Sequence, residues 1–254
     1  ADKPNAAKYV TVLEELADMV ISHFIDYKTG WIIENFTNEW KPDWRDWQKQ
    51  GAFTVGVVGH NYQAAWFLMR VATLPGISPQ VATLYRMHAK VILESMLSKP
   101  TTDWERGGFY DAFKRETDEP MWNKNKAWWQ QTEAIMALTL ANLQGVLKDE
   151  KAMEARDLGV DFYFNHFVDH KNGGEFDVVD EEGKPTKDTF KGGYAKSTYH
   201  CAEFAHFMAR YAKGERWVEP PKNQTRTGRF RRIDTVKSRA YGSRVFSSRS
   251  VDKT

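Results

Sequence analysis

The feature that most narrows the folds open to this chain is an internal repeat. Gly30-Trp31-Ile32-Ile33, Gly107-Gly108-Phe109-Tyr110-Asp111 and Gly173-Gly174-Glu175-Phe176-Asp177 each follow one helical segment, and a loop and a second helix come after each. The spacing is roughly 65–78 residues. The helices themselves are read from apolar residues recurring at three- and four-residue intervals. The first spans about 6–24 and carries Val10, Leu13, Leu16, Ala17, Val20, Ile21 and Phe24 on that period. Five more are predicted over about 58–74, 78–97, 126–147, 150–167 and 197–211. Pro75-Gly76 stops the second, and Ser78 with Pro79 forms an N-cap and first helical position for the third. Phe176 to Asp180 with Glu182-Gly183 predicts a short β-hairpin. Residues 31–50 hold Trp31, Trp40, Trp44 and Trp47 in a polar, loop-like stretch.

A helix, a glycine-turned hairpin and a helix, repeated, is the plan of an α/α-toroid. In that plan the hairpin loops gather on one face and can build a site there. The competing reading is an ordinary helical domain whose turns happen to use glycine, and the Gly-Gly-aromatic-Asp recurrence weighs against it. The expected fold class is therefore all-α, an incomplete toroid of about three helical hairpins with short β-hairpins in its loops.

Charge marks a boundary near residue 214. Residues 215–254 carry 11 Lys/Arg and 4 Asp/Glu, a net of +7, whereas residues 1–214 carry a net of −5. The toroid is expected over 1–214, and 215–254 reads as an extended or disordered basic tail. The tail has no aromatic-basic interleaving of a nucleic-acid motif, so nucleic acid is not an expected partner. The single cysteine, Cys201, excludes an intrachain disulfide and fits a reducing, cytoplasmic setting. No apolar run approaches the roughly 20 residues that span a bilayer. The chain begins at Ala1, which reads as a processed start or a fragment.

Three helix starts carry polar-aromatic clusters just after a loop: Gly59-His60-Asn61-Tyr62-Gln63-Ala64-Ala65-Trp66, Trp128-Trp129-Gln130-Gln131-Thr132-Glu133-Ala134, and Lys196-Ser197-Thr198-Tyr199-His200-Cys201-Ala202-Glu203. Helical spacing puts His60 with Gln63, Trp129 with Glu133, and His200 with Glu203 on shared faces. A histidine in a first helical turn feels the positive end of the helix dipole, which favours the neutral base. A lone histidine would be read as structural. Two at equivalent repeat positions, with carboxamide and carboxylate companions, are read as a site. His23, His88, His166, His170 and His206 lack such a setting and are assigned to surface or structural roles.

At these residues the chain resembles the N-acylglucosamine 2-epimerase and cellobiose 2-epimerase family. Gly59-His60 with Trp66, Trp128-Trp129 with Gln131, Glu133 and Ala134, and Lys196 with Tyr199-His200 match in order and spacing, and the resemblance covers about residues 6–213. It implies a cofactor-free, metal-free epimerase or aldose–ketose isomerase acting on an open-chain sugar. One histidine removes the proton beside the carbonyl and the other returns it. The implied roles make His60 and His200 the acid/base pair, with Glu133 orienting a hydroxyl or a histidine. Trp128 or Trp129 would pack against the sugar, and Gln63, Gln131, Lys196, Tyr199 and Glu203 would complete the sugar site.

Departures accompany the resemblance. Gln63 stands where the family usually has Glu, Ala195 where many members have Trp, and Cys201 and Glu203 where many have Asn and Arg. Glu203 is a candidate replacement for the carboxylate missing at Gln63, which a structure must decide. The family ring closes with six helical hairpins, and this chain has about three, so an association with a second copy or with a missing half-toroid is expected. Two further readings stay open. One is a non-catalytic carbohydrate-binding or scaffold protein of the same fold. The other is an inverting glycosidase, for which Glu133, Glu203, Asp111 and Asp177 are the available carboxylates.

Overall fold

The structure, a computed structural model, describes residues 5–44, 54–121, 124–193 and 196–214. The basic tail, Ala195 and Trp47 lie outside the described residues. Helix α1 (Ala6–Met19) runs on into a single π-helical turn, Val20–Phe24. A hairpin of β1 (Ile25–Asp26) and β2 (Trp31–Ile32) follows. Strand β3 (Val55–Val57) leads directly into α2 (Val58–Val71), and α3 (Pro79–Ser98) comes next. Strands β4 (Ala112–Lys114) and β5 (Lys126–Ala127) precede α4 (Trp128–Leu143). Helix α5 (Glu150–Phe162) also ends in a π-helical turn, Tyr163–Phe167. Strand β6 (Val178–Val179) and α6 (Tyr199–Ala212) complete the order.

The six expected helices are all present, and their ends have local causes. Ser78 caps α3 by accepting the Val81 N–H at 3.2 Å, with Pro79 at the first helical position. Asp149 caps α5 by accepting the Lys151 N–H at 3.0 Å. Two boundaries moved. Gly145, at a φ of +68°, ends α4 earlier than its periodicity suggests. Lys126 and Ala127 were expected as helix and form β5 instead, pairing with Val179 and Val178 across some fifty residues of chain.

That pairing also corrects the expected local hairpin at 176–183. Val179 bridges to Pro185 locally, but the main partner of this strand is β5. Likewise β3 pairs with β4, Val55 opposite Lys114 and Val57 opposite Ala112. Trp31 corrects another expectation. It is fully buried in a strand, and a Cβ at Gly56 would fall 2.4 Å from its ring.

Helices α2, α4 and α6 pack side by side as an inner layer, and α1, α3 and α5 pack outside them. Helix α4 sits in the middle and is buried from Gln130 to Ala141. Tyr62, Tyr85, Phe109 and Phe113 are sealed in the core between the layers. Burial of each phenylalanine contributes about 1.5–3 kcal/mol.

The repeat is more regular in space than in sequence. Asp26, Asp103 and Asp169 each stand four residues before a hairpin glycine, and their carbonyls accept from Gly30, Gly107 and Gly173 at 2.7, 2.8 and 2.8 Å. Their carboxylates accept turn N–H groups and meet one cation each: Arg115, Lys126 and Lys191 respectively. Each carboxyl is held below its ordinary value, by turn hydrogen bonds and its cation in all three, against burial in the first two. Clamped turns of this kind hold the three loops rigidly at one end of the inner helices.

Candidate active site

The inner helices begin at that same end, and their first turns meet. Gly59 explains how closely. Its N–H donates to Gln130 Oε1 at 2.8 Å, and a Cβ there would lie 2.5 Å from the Trp129 ring. Only glycine lets α2 and α4 approach this far. Trp129 contacts two imidazoles. Its ring centroid lies 4.9 Å from that of His60 and 5.3 Å from that of His200.

Each histidine is gripped at Nδ1 by a carboxylate. His60 Nδ1 lies 2.8 Å from Glu34 Oε1, and His200 Nδ1 lies 2.7 Å from Glu133 Oε1. The other oxygen of Glu133 accepts the Trp66 indole N–H. A cavity of about 360 Å³ opens beside this group. Glu34, His60, Gln63, Trp66 and Tyr199 give it a polar side, and Val20, Phe24, Ile32, Ile33 and Phe67 an apolar one. Burial holds the Tyr199 hydroxyl above its ordinary pKa, so it remains a hydrogen-bond donor at neutral pH.

Comparison with known families identifies the chain. The model of the N-acylglucosamine 2-epimerase (GlcNAc 2-epimerase) family matches residues 1–203. The chain belongs to the N-acylglucosamine 2-epimerase family.

Its relatives include the D-mannose isomerase of Marinomonas mediterranea, 26% identical over 172 residues, which are 66% of this chain and 41% of that protein. Among solved structures, cellobiose 2-epimerase from Bacillus thermoamylovorans is similar with a TM-score of 0.61 at 21% identity, covering 77% of this chain and 45% of that one. A sugar epimerase from a ruminal bacterium gives 0.67 at 17% identity, covering 82% and 49%. A D-mannose isomerase structure gives 0.64 at 21% identity, covering 80% and 51%. These likenesses establish the α/α-toroid fold. The chain spans about half the length of these relatives.

Not every residue that the family motif nominated comes to the cavity. His60, Gln63 and Tyr199 line it, and His200, Glu133 and Trp129 stand next to it. Gln131 does not. Its amide is wholly used inside the protein: Oε1 accepts the Phe109 N–H at 2.7 Å, and Nε2 donates to Phe109 and Ala127 carbonyls at 2.8 and 3.0 Å. It pins the second hairpin to α4, as Asn61 pins the first to α2 by accepting the Ile32 N–H. Lys196 is buried over the Trp128 ring at 4.2 Å and lies 3.6 Å from Glu175. Trp128 meets His200 edge-on, at 6.1 Å.

Glu203 corrects a specific expectation. It does not replace the carboxylate missing at Gln63, because it pairs with Arg70 on α2 at 2.9 Å. The carboxylate at His60 is Glu34, which sequence reasoning missed. Glu34 has one faint signal. It stands two residues after Ile32 as Asp111 stands after Phe109 and Asp177 after Glu175, an acid at one place in every repeat. Cys201 donates to Glu175 Oε2 at 2.8 Å, and burial pushes its thiol up to about 11, which keeps it protonated at neutral pH.

Proposed function

We propose that this chain supplies the histidine-bearing half of a sugar 2-epimerase or aldose–ketose isomerase, with His60 and His200 moving the proton at C2 of an open-chain sugar. The observation that carries the reading is the pair of imidazoles that both contact Trp129, each with Nδ1 on a carboxylate. A carboxylate at Nδ1 fixes the tautomer with the hydrogen there, so Nε2 is the atom that exchanges a proton with substrate. One ring, neutral, takes the C2 proton as base. The other, protonated, delivers a proton to the opposite face of C2 and gives the epimer, or delivery to C1 gives the ketose. Charge develops meanwhile on the carbonyl oxygen. Gln63 and Tyr199 line the cavity and can donate to it.

Trp129 suits one face of a sugar ring or chain. Relatives whose names specify D-mannose and cellobiose support a neutral aldose or a disaccharide with a reducing end as substrate. The rest of the ring, from a longer chain or a second molecule, would complete the sugar's surroundings. Helix α1 leaves Tyr9, Val12 and Leu16 exposed along one stripe, as an open half-ring would. The glycosidase reading has less to stand on. Glu133 is taken by His200 and Trp66, Glu203 by Arg70, Asp111 by Gln130 and Asp177 by Thr189.

The test is proton NMR with a panel of aldoses in D2O, watching C2. Solvent deuterium should enter at C2 with at least one sugar, and His60→Ala and His200→Ala should each abolish it. Binding of a sugar without exchange, unchanged by His60→Ala, would replace this reading with a non-catalytic carbohydrate-binding role.

A further inference from the structure

One enclosed acid at the His60 corner has no part in the scheme above. Asp111 follows the second hairpin and precedes β4. Its carboxylate accepts the Gln130 side-chain N–H, and its carbonyl accepts the Val58 N–H at 3.1 Å. The other end of the Gln130 amide accepts the Gly59 N–H at 2.8 Å. Asp111 therefore holds the first residue of α2 directly and the second through Gln130, and the third is His60.

The repeat makes the arrangement legible. Gln130 is the third residue of α4, as His60 is of α2. Asp111 stands two residues after Phe109, as Glu34 does after Ile32. The Asp111–Gln130 pair is the second repeat's version of the Glu34–His60 pair, with an amide in place of the imidazole. It joins the first pair through the backbone, because Gln130 also holds the N–H of Gly59, the residue before His60.

We infer that Asp111 is a positioning residue of the His60 corner, acting on that imidazole through Gln130 and through its own charge. This deepens the reading of His60 as one of the proton-transfer pair and rests on it for its kinetic consequence only. Enclosure by protein, with Glu34 nearby, pushes the Asp111 carboxyl up to about 7, against the opposing pull of His60. The charged groups around the corner are Glu34 on the loop after β2, Arg115 beyond β4, and, across Trp129, Glu133 on α4 with His200 and Tyr199 on α6. As pH rises through neutrality Asp111 becomes an anion beside the His60–Glu34 pair, and its field reaches the imidazole.

The experiment is an NMR titration of the full chain, following the side-chain carboxyl carbon of Asp111 and the His60 ring. The Asp111 carboxyl should titrate near neutrality, and the His60 ring should report a second step at the same pH. Asp111→Asn, which keeps an acceptor for Gln130, should remove that step, and Asp111→Glu should restore it. A carboxyl that titrates below pH 5, or a His60 ring with one step in both wild type and Asp111→Asn, would overturn the inference, whether or not any sugar is turned over. The kinetic arm separates the two routes. Asp111→Asn should flatten the neutral part of the pH profile for C2 exchange. Gln130→Met, which keeps the charge and breaks the link, should lower kcat about tenfold with KM little changed, as expected when a reacting group is displaced by a fraction of an ångström.

Discussion

The two histidine corners use one chemical pairing in two physical settings. Glu133 is 1% exposed, stands on the central helix and is held by Trp66 as well as by His200, whose side chain is 18% exposed. Glu34 stands on a loop and is 16% exposed, and the His60 side chain is 42% exposed and lines the cavity. A carboxylate sealed in the core with two donors is costly to disturb, because each donor loses its partner away from water. A carboxylate at a cavity edge has water as a substitute. The His200 corner is thus built as a fixed reference, and the His60 corner as the one open to solvent and to tuning by neighbours.

Substitutions can break that contrast in order of size. Glu133→Ala should cost the most, about 3 kcal/mol, since it strands the Trp66 and His200 donors in a buried site. Chemical denaturation of the variant would show it as a shifted midpoint with an unchanged slope. Gly59→Ala comes next, at about 1–3 kcal/mol, because the new methyl must displace Trp129 or push α2 from α4. The same measurement checks it, and loss of near-ultraviolet circular dichroism would locate the damage at Trp129. Glu34→Gln should cost at most about 1 kcal/mol of stability yet lower C2 exchange about a hundredfold, toward the loss that removing a tuned base produces. If Glu34→Gln proved as destabilising as Glu133→Ala, the two corners would be equally structural and the contrast would fail. Glu203→Gln should be smallest, about 0–1 kcal/mol, since its pair with Arg70 is partly exposed.

Asp111 sharpens the contrast through pH. Its folded-state value of about 7 lies above the ordinary 3.8, so it stabilises the fold fully below pH 4, and that contribution fades as pH rises to 7. Asp111→Asn should flatten the stability curve between pH 4 and 7, which denaturant melts at several pH values would measure.

Much of this was legible in the chain. The six helices followed from apolar period, because an amphipathic helix must show its buried face in its spacing. The hairpin turns followed from glycine at positive φ, a requirement local to the turn. His60, His200, Trp129 and Glu133 followed from the order of three motifs. What stayed hidden depended on partners distant in sequence. Lys126 and Ala127 have no local reason to be a strand, and only Val178–Val179 makes them one. Gln131 looked like a site residue because it shares a motif with Glu133, but helical rotation turns it toward Phe109 rather than the cavity.

By itself, then, the sequence determined the helix count, the repeat and the family, since periodicity, turn chemistry and motif order are properties of neighbours along the chain. Tertiary structure alone decided which acid serves which histidine. Glu34 over Glu203 at His60, Arg70 at Glu203 and Asp111 behind Gln130 were all settled by contacts between segments distant in sequence. Between α2 and α4 the close approach depends on one missing side chain, at Gly59.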